Sequence, residues 1–213
     1  MIQNIKDQII NINPEDVIQD ARDQDLDVIR IEDFRYMAPH YGRIETIMDN
    51  YGSSFANTSI LGGLTTGIGG LTTSITFAAV DTISLSLQLY WLSQRFAILN
   101  GFNGNKPLHQ DKMINIYFEA LSINGVIQAT LKHQLLKATA VAGTRHASDS
   151  LVLRAIVNIG KAMGKNISSK RAGQLVPIFG GVVGATVNYS FACKTGQAMK
   201  KAYKRAYFDT WKC

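Results

Sequence analysis

Two long uncharged stretches dominate the hydrophobic pattern of this chain. The first, Gly52 to Val80, reads GSSFANTSILGGLTTGIGGLTTSITFAAV, ends at Asp81 and runs into a further apolar segment, Thr82 to Phe102. The other, Leu175 to Cys193, reads LVPIFGGVVGATVNYSFAC. Each carries glycines four apart, Gly63/Gly67 and Gly180/Gly184, a spacing that lets two helix backbones approach closely. The run Ile83 to Leu89 alternates apolar and polar residues, as a half-buried strand does. Yet Ile83, Leu87, Tyr90 and Trp91 also share a helical face, with Leu85, Leu89, Leu92 and Phe96 beside them. The apolar run continues to Leu99, too long for an ordinary strand, so helix is the better assignment. The pattern predicts core helices over 55–80 and 175–193, meeting through their glycines, and a helix over 82–100 that completes the core.

The remaining elements follow from local signals. Asn13-Pro14-Glu15-Asp16 opens a helix over roughly 14–23, with Asn as cap, Pro in the first turn and acids at its positive end. Val28, Ile31, Phe34 and Met37 recur at helical spacing before Pro39 interrupts. A helix over 41–51 places Tyr41, Ile44, Ile47 and Met48 on one side, and Tyr51-Gly52-Ser53-Ser54 closes it. Asn100 to Asn105 is the clearest turn. Pro107 opens a helix to Ser122 with Met113, Ile116, Tyr117 and Leu121 inward, and helices over 126–142 and 148–163 follow, stopped by Gly143 and Gly164. Asn166 begins a short basic helix with Lys170 and Arg171. From Pro177 a long helix can run to Trp211, apolar first and basic later. The class is all-α: an acidic helical segment over 1–54 and a helical domain over 55–213.

Composition adds a charge split. The net charge of +6 conceals a net of −6 over residues 1–50 and +12 over 51–213. The basic part therefore meets either an anionic partner or the acidic N-terminal part. Cys193 and Cys213 cannot build a disulfide framework, which suits a reducing compartment, and Cys213 is not part of a prenylation ending. The first residues show no basic region followed by an apolar core, so a cytoplasmic location is expected, at the inner face of the membrane if the basic part meets lipid.

Four polar residues stand out within apolar surroundings: Asp81, Gln88, Arg95 and Asn188. Asp81 reads best as a cap for a helix starting at Thr82, with an ion pair to Arg95 or an acid/base role as alternatives. Asn188 lies beside the glycine face and can bond across to Thr65, Thr66, Thr72 or Asp81. The last helix combines Lys194, Lys200, Lys201, Lys204, Arg205 and Lys212 with Tyr203, Tyr207 and Trp211, four residues apart. Rings and cations at this spacing suit an anionic membrane interface. The plainer alternative packs the rings on the core and leaves the lysines solvated. Nucleic acid is the least favoured partner, because of the aromatics and the acidic part.

Signals for catalysis are poor. His40, His109, His133 and His146 have no metal-ligand spacing, and no phosphate loop, dinucleotide fingerprint or nucleophile elbow is present. A nucleophile at Cys193 or among the serines stays open, and no metal or cofactor is expected. Gly52–Val80 is long enough to span a bilayer, but its Gly, Ser and Thr make insertion marginal, while Leu175–Cys193 contains Pro177 and Asn188. A buried helical hairpin is favoured over a span.

The block Leu175-Val-Pro177-Ile-Phe-Gly180-Gly181-Val-Val-Gly184-Ala-Thr-Val-Asn188, followed by Gly196 and Ala198 to Arg205, resembles the signature of the EcsC protein family. The Gly-rich run, Asp81, the helix with Gln88 and Arg95, and Asn100-Gly101-Phe102 (where the family often has Tyr-Gly-Tyr) extend the resemblance over about 55–208. It implies a bacterial, α-helical, cytoplasmic or membrane-associated protein and supplies no catalytic residues. The expected function is a non-catalytic, membrane-peripheral or lipid-interacting accessory role, with a protein partner or a second copy of the chain as other binding candidates. Two alternatives are an enzyme acting on a lipid or other apolar substrate through Asp81, and an integral membrane protein with a helical hairpin.

Overall fold

The computed structural model describes residues 12–66, 71–122, 126–140, 151–163 and 180–211, with side chains described except at 58–66, 71–82, 126–127, 140 and 180–188. Among them all regular structure is helical, and the helices form a single domain. Helix α1 spans Pro14–Arg22 and opens as the local chemistry requires, the Asn13 side chain accepting from the Glu15 N–H at 3.3 Å. It buries Val17, Ile18 and Ala21 against the next two long helices. Two 3-10 turns follow, Ile31–Tyr36 and Ala38–His40. The apolar residues Val28, Ile31, Phe34 and Met37 recur every third position, which is the 3-10 repeat rather than the α repeat.

Helix α2, Tyr41–Thr66, runs straight through Tyr51-Gly52-Ser53-Ser54, where local signals predict a stop. Phe55 and Ala56 are buried just beyond, and packing of that face outweighs the helix penalty of one glycine, about 1 kcal/mol. A boundary at 54/55 therefore falls inside one helix. Helix α3, Leu71–Leu99, is likewise continuous through Asp81. Asp81 is an interior helical residue, and its expected capping role at the start of a separate 82–100 helix is ruled out. Leu85, Leu89, Leu92, Phe96 and Leu99 are buried on one side and Leu87 and Tyr90 on another, as befits a central helix.

Helix α3 ends at Asn100-Gly101. Gly101 has φ +74°, and the Phe102 N–H reaches back to the Ala97 carbonyl at 2.9 Å, closing the helix in the left-handed manner only glycine adopts freely. Helices α4 (Pro107–Leu121), α5 (Val126–Ala140) and α6 (151–163) follow. Helix α6 meets α3 at Gly160, where an added Cβ would lie 2.7 Å from the Ile83 Cα. At the same crossing the Ser86 hydroxyl donates to the Ile156 carbonyl at 3.2 Å and Tyr117 donates to the Ser86 carbonyl at 2.9 Å.

The last helix, α7, spans Gly180–Trp211 and makes its most extensive contact with α2. The two run antiparallel: Tyr41 packs on Tyr207, Glu45 pairs with Lys204 and Asp49 with Lys200. The expected single helix over 55–80 is instead divided, residues 55–66 ending α2 and 71–80 opening α3, while 180–193 lie on α7, the partner of α2. The surroundings of Gly63, Gly180 and Gly184 and the position of Gly67 lie outside the described residues, as does the region expected to hold a short basic helix after Asn166.

Candidate functional site

The basic last helix divides into two faces. Its aromatic face is inward: Tyr203 and Tyr207 are 0% exposed. Tyr203 shares a hydrogen bond of 2.9 Å with Ser93, and Tyr207 donates to the Phe34 carbonyl at 3.0 Å. Trp211 packs on Phe102 and His109, donates its indole N–H to the Asn100 carbonyl at 2.8 Å, and lies under the Arg35 guanidinium. These rings are structural and cannot reach a headgroup layer while the helix stays docked.

The cations divide as well. Lys200 bonds both Asp49 oxygens at 2.7 and 2.8 Å, and Lys204 bonds Glu45 at 2.8 Å. Asp49 and Glu45 belong to the acidic N-terminal part, so these contacts within the chain absorb part of the charge split. Lys194, Lys201 and Arg205 remain outward, one above the other at i, i+7 and i+11, with Phe208 exposed at the end of the stripe. Arg205 meets Glu119 at 2.8 Å, but both side chains are largely exposed and such a pair holds by about 0–1 kcal/mol. The spacing of the tail residues was legible in the sequence. Which side of each turn faces inward was not.

A second arrangement lies between α2 and α3. These helices leave a cleft of about 370 Å³, within the usual range for small-molecule sites. Its floor is apolar, formed by the buried Phe55, Leu87 and Leu92, and the exposed Ser54 and Ser84 mark its mouth. Trp91 and Tyr51 form walls, and Arg95 stands at the Tyr51 end. Gln88 donates to the Ser84 hydroxyl at 3.1 Å. The Arg95 guanidinium lies 4.8 Å from the centre of the Tyr51 ring, and no carboxylate pairs with it among the described residues. Tyr51 donates its hydroxyl to Asp20. Burial, and after it the bond to Asp20, hold that hydroxyl well above the ordinary tyrosine range, so it stays neutral.

An Asp81–Arg95 pair is excluded by the continuity of α3. Fourteen residues along one helix is roughly 21 Å, beyond the reach of the two side chains. Gln88 and Arg95 do come together at the cleft; the side chains of Asp81 and Asn188 lie outside the described residues. The walls of Tyr51 and Trp91 were missed in the sequence, where nothing distinguishes them from ordinary core aromatics. The Trp91 indole N–H is shut off from solvent and has no acceptor among the described residues, a state that ordinarily costs about 1–3 kcal/mol. Among the described residues there is no cluster of His, Cys, Asp and Glu able to hold a metal, and no helix long and apolar enough to cross a membrane.

The family model described as the EcsC protein family matches residues 3–206, and the chain belongs to that family. The match begins well before residue 55, so the acidic N-terminal segment is part of it. Comparison with curated proteins and with solved structures gives no match.

Proposed function

We propose that this member of the EcsC family is a non-catalytic accessory protein that handles lipid at a membrane surface, on the cytoplasmic side. The observation that supports this most directly is the outward stripe of α7, Lys194, Lys201 and Arg205 with Phe208 at its end. Such a row sets cations against anionic headgroups and one apolar ring at their depth. Lys200, Lys204, Tyr203, Tyr207 and Trp211 support the helix that presents the stripe. The hydroxyls at the mouth of the cleft fit a binding role: Ser84 accepts from the Gln88 amide, and among the described side chains no imidazole or carboxylate lines the cleft with it.

With each cation near an anionic surface worth about 1 kcal/mol, three give modest, salt-sensitive attachment. Co-sedimentation with vesicles of phosphatidylcholine alone or with added phosphatidylserine, over a salt series, tests this. The expected result is binding to the anionic vesicles at low salt, strongly reduced in Lys194→Glu/Lys201→Glu, with the thermal melt unchanged. Equal behaviour on both vesicles, or an unaltered double variant, overturns the assignment to this stripe.

A further inference from the structure

We infer that the α2/α3 cleft is a binding site for a single-chain amphiphile with an anionic head, the head held by Arg95 and the chain lying over Phe55, Leu87 and Leu92. This rests on the lipid-interacting function proposed above and assigns it a ligand class and a place in the fold.

The charge carries the choice of head. An arginine side chain offers five N–H donors and cannot shed its charge. Here its central carbon lies 4.8 Å from the centre of the Tyr51 ring, a cation–π contact that holds the guanidinium at the cleft without consuming its donors. The carboxylate bonded at this ring, Asp20, accepts from the Tyr51 hydroxyl and makes no ion pair with Arg95. Elsewhere Lys200, Lys204 and Arg205 reach a carboxylate oxygen within 2.8 Å. Arg95 is thus a cation held at a ring, with no hydrogen-bond or carboxylate partner among the described residues, at the edge of an apolar-floored space. A carboxylate or phosphate matches such a fork in a two-pronged contact.

The shape carries the choice of tail. The cleft has a buried aliphatic and aromatic floor and a hydroxyl-lined mouth. A volume of about 370 Å³ suits one alkyl chain better than a two-chain lipid, the second chain of which would lie outside. Trp91 lines the space, so a chain seated there changes the surroundings of an indole, whereas Trp211 is held at Asn100 on another side of α3.

The test is a titration of the full chain with dodecanoate, dodecyl phosphate and dodecanol, each below its micelle-forming concentration, read by calorimetry and by tryptophan emission. Acetate serves as the head without a chain. Wild type is expected to bind one or both anionic amphiphiles saturably and at least about tenfold tighter than dodecanol, the difference a charge-assisted hydrogen bond makes. The tighter of the two identifies the head as carboxylate or phosphate. Arg95→Gln should lose that preference, Arg95→Lys should recover part of it, and Leu87→Trp, which fills the floor, should weaken all three. Dodecanol binding as tightly as the anions, an unaffected Arg95→Gln, or saturable binding of acetate alone overturns the assignment. If none of the amphiphiles binds while vesicle association persists, the cleft site fails and the surface function stands. If vesicle association is also absent, both fall.

Discussion

Arg95, in the last turns of α3, and Asn100, just past its end, lie five residues apart and show two opposite fates of a polar group set among apolar ones. Every hydrogen-bonding group of the Asn100 side chain is used. It accepts from the Tyr41 hydroxyl at 2.8 Å and donates to the Phe96 carbonyl at 2.7 Å, while its own backbone carbonyl accepts from Trp211 at 2.8 Å. It is 0% exposed and ties α2, α3 and α7 together. Arg95 rests on a ring, has no carboxylate partner among the described residues, and faces open volume. A buried polar group whose bonds are all made within the chain is architecture. One with donors left over beside a cavity is free to meet something else.

The sharpest way to break that contrast is to delete each side chain. Asn100→Ala leaves the Tyr41 hydroxyl buried without its acceptor and opens a void, which should cost about 3 kcal/mol or more in denaturant unfolding. Arg95→Ala should cost under about 1 kcal/mol, since it forfeits one partly exposed ring contact. Comparable losses in the two variants would show that Arg95 is architecture too.

A smaller effect separates two glycines in the same way. Gly160→Ala forces a methyl to within 2.7 Å of the Ile83 Cα and 2.9 Å of the Ser86 hydroxyl, so the α3/α6 crossing must widen. A loss of about 1–3 kcal/mol is expected. Gly52, in the middle of α2, has nothing within 4 Å of an added Cβ, and Gly52→Ala should stabilise by up to about 1 kcal/mol through helix propensity. Thermal melts of the pair decide whether the close approach is real: loss of stability in both variants, or in neither, contradicts it.

The smallest effect is a pH dependence at the Asn100 end. The His109 ring contacts Phe102 and Trp211, and its Nδ1 accepts from the Asn103 N–H at 3.0 Å. Burial, followed by the nearby Arg35 and Lys106 charges, holds its pKa below the ordinary histidine value. The unfolded chain therefore binds the proton more readily. This contribution to stability is complete above about pH 6.5 and is lost as pH falls toward the lowered folded value. Unfolding free energies measured between about pH 7.5 and 5 should show a decline that is shallower in His109→Gln. Identical slopes would remove His109 from the account.

Much of the helical plan was legible because it is written in short-range chemistry. Asn13-Pro14, Pro107 and Asn100-Gly101 are signals read from two or three residues, and each starts or ends a helix where the sequence predicts it. The every-third repeat of Val28, Ile31, Phe34 and Met37 carried the 3-10 turn in plain form, although helical spacing alone does not distinguish it. The family resemblance was also legible, from the glycine and asparagine block near the C-terminus.

Tertiary packing decided the rest, because the energies involved belong to partners distant in sequence. One unfavourable glycine at position 52 was overridden by burial of Phe55 and Ala56, and the continuity of α3 removed both the capping role of Asp81 and its pairing with Arg95. The four-residue spacing of Tyr203, Tyr207 and Trp211 predicted one face of a helix equally well for a membrane or a core. Ser93, Phe34 and Asn100, between 111 and 173 residues away for the last two and 110 for the first, are what turn that face inward. Hydrophobic spacing specifies that a face exists; only the partner helices specify what covers it.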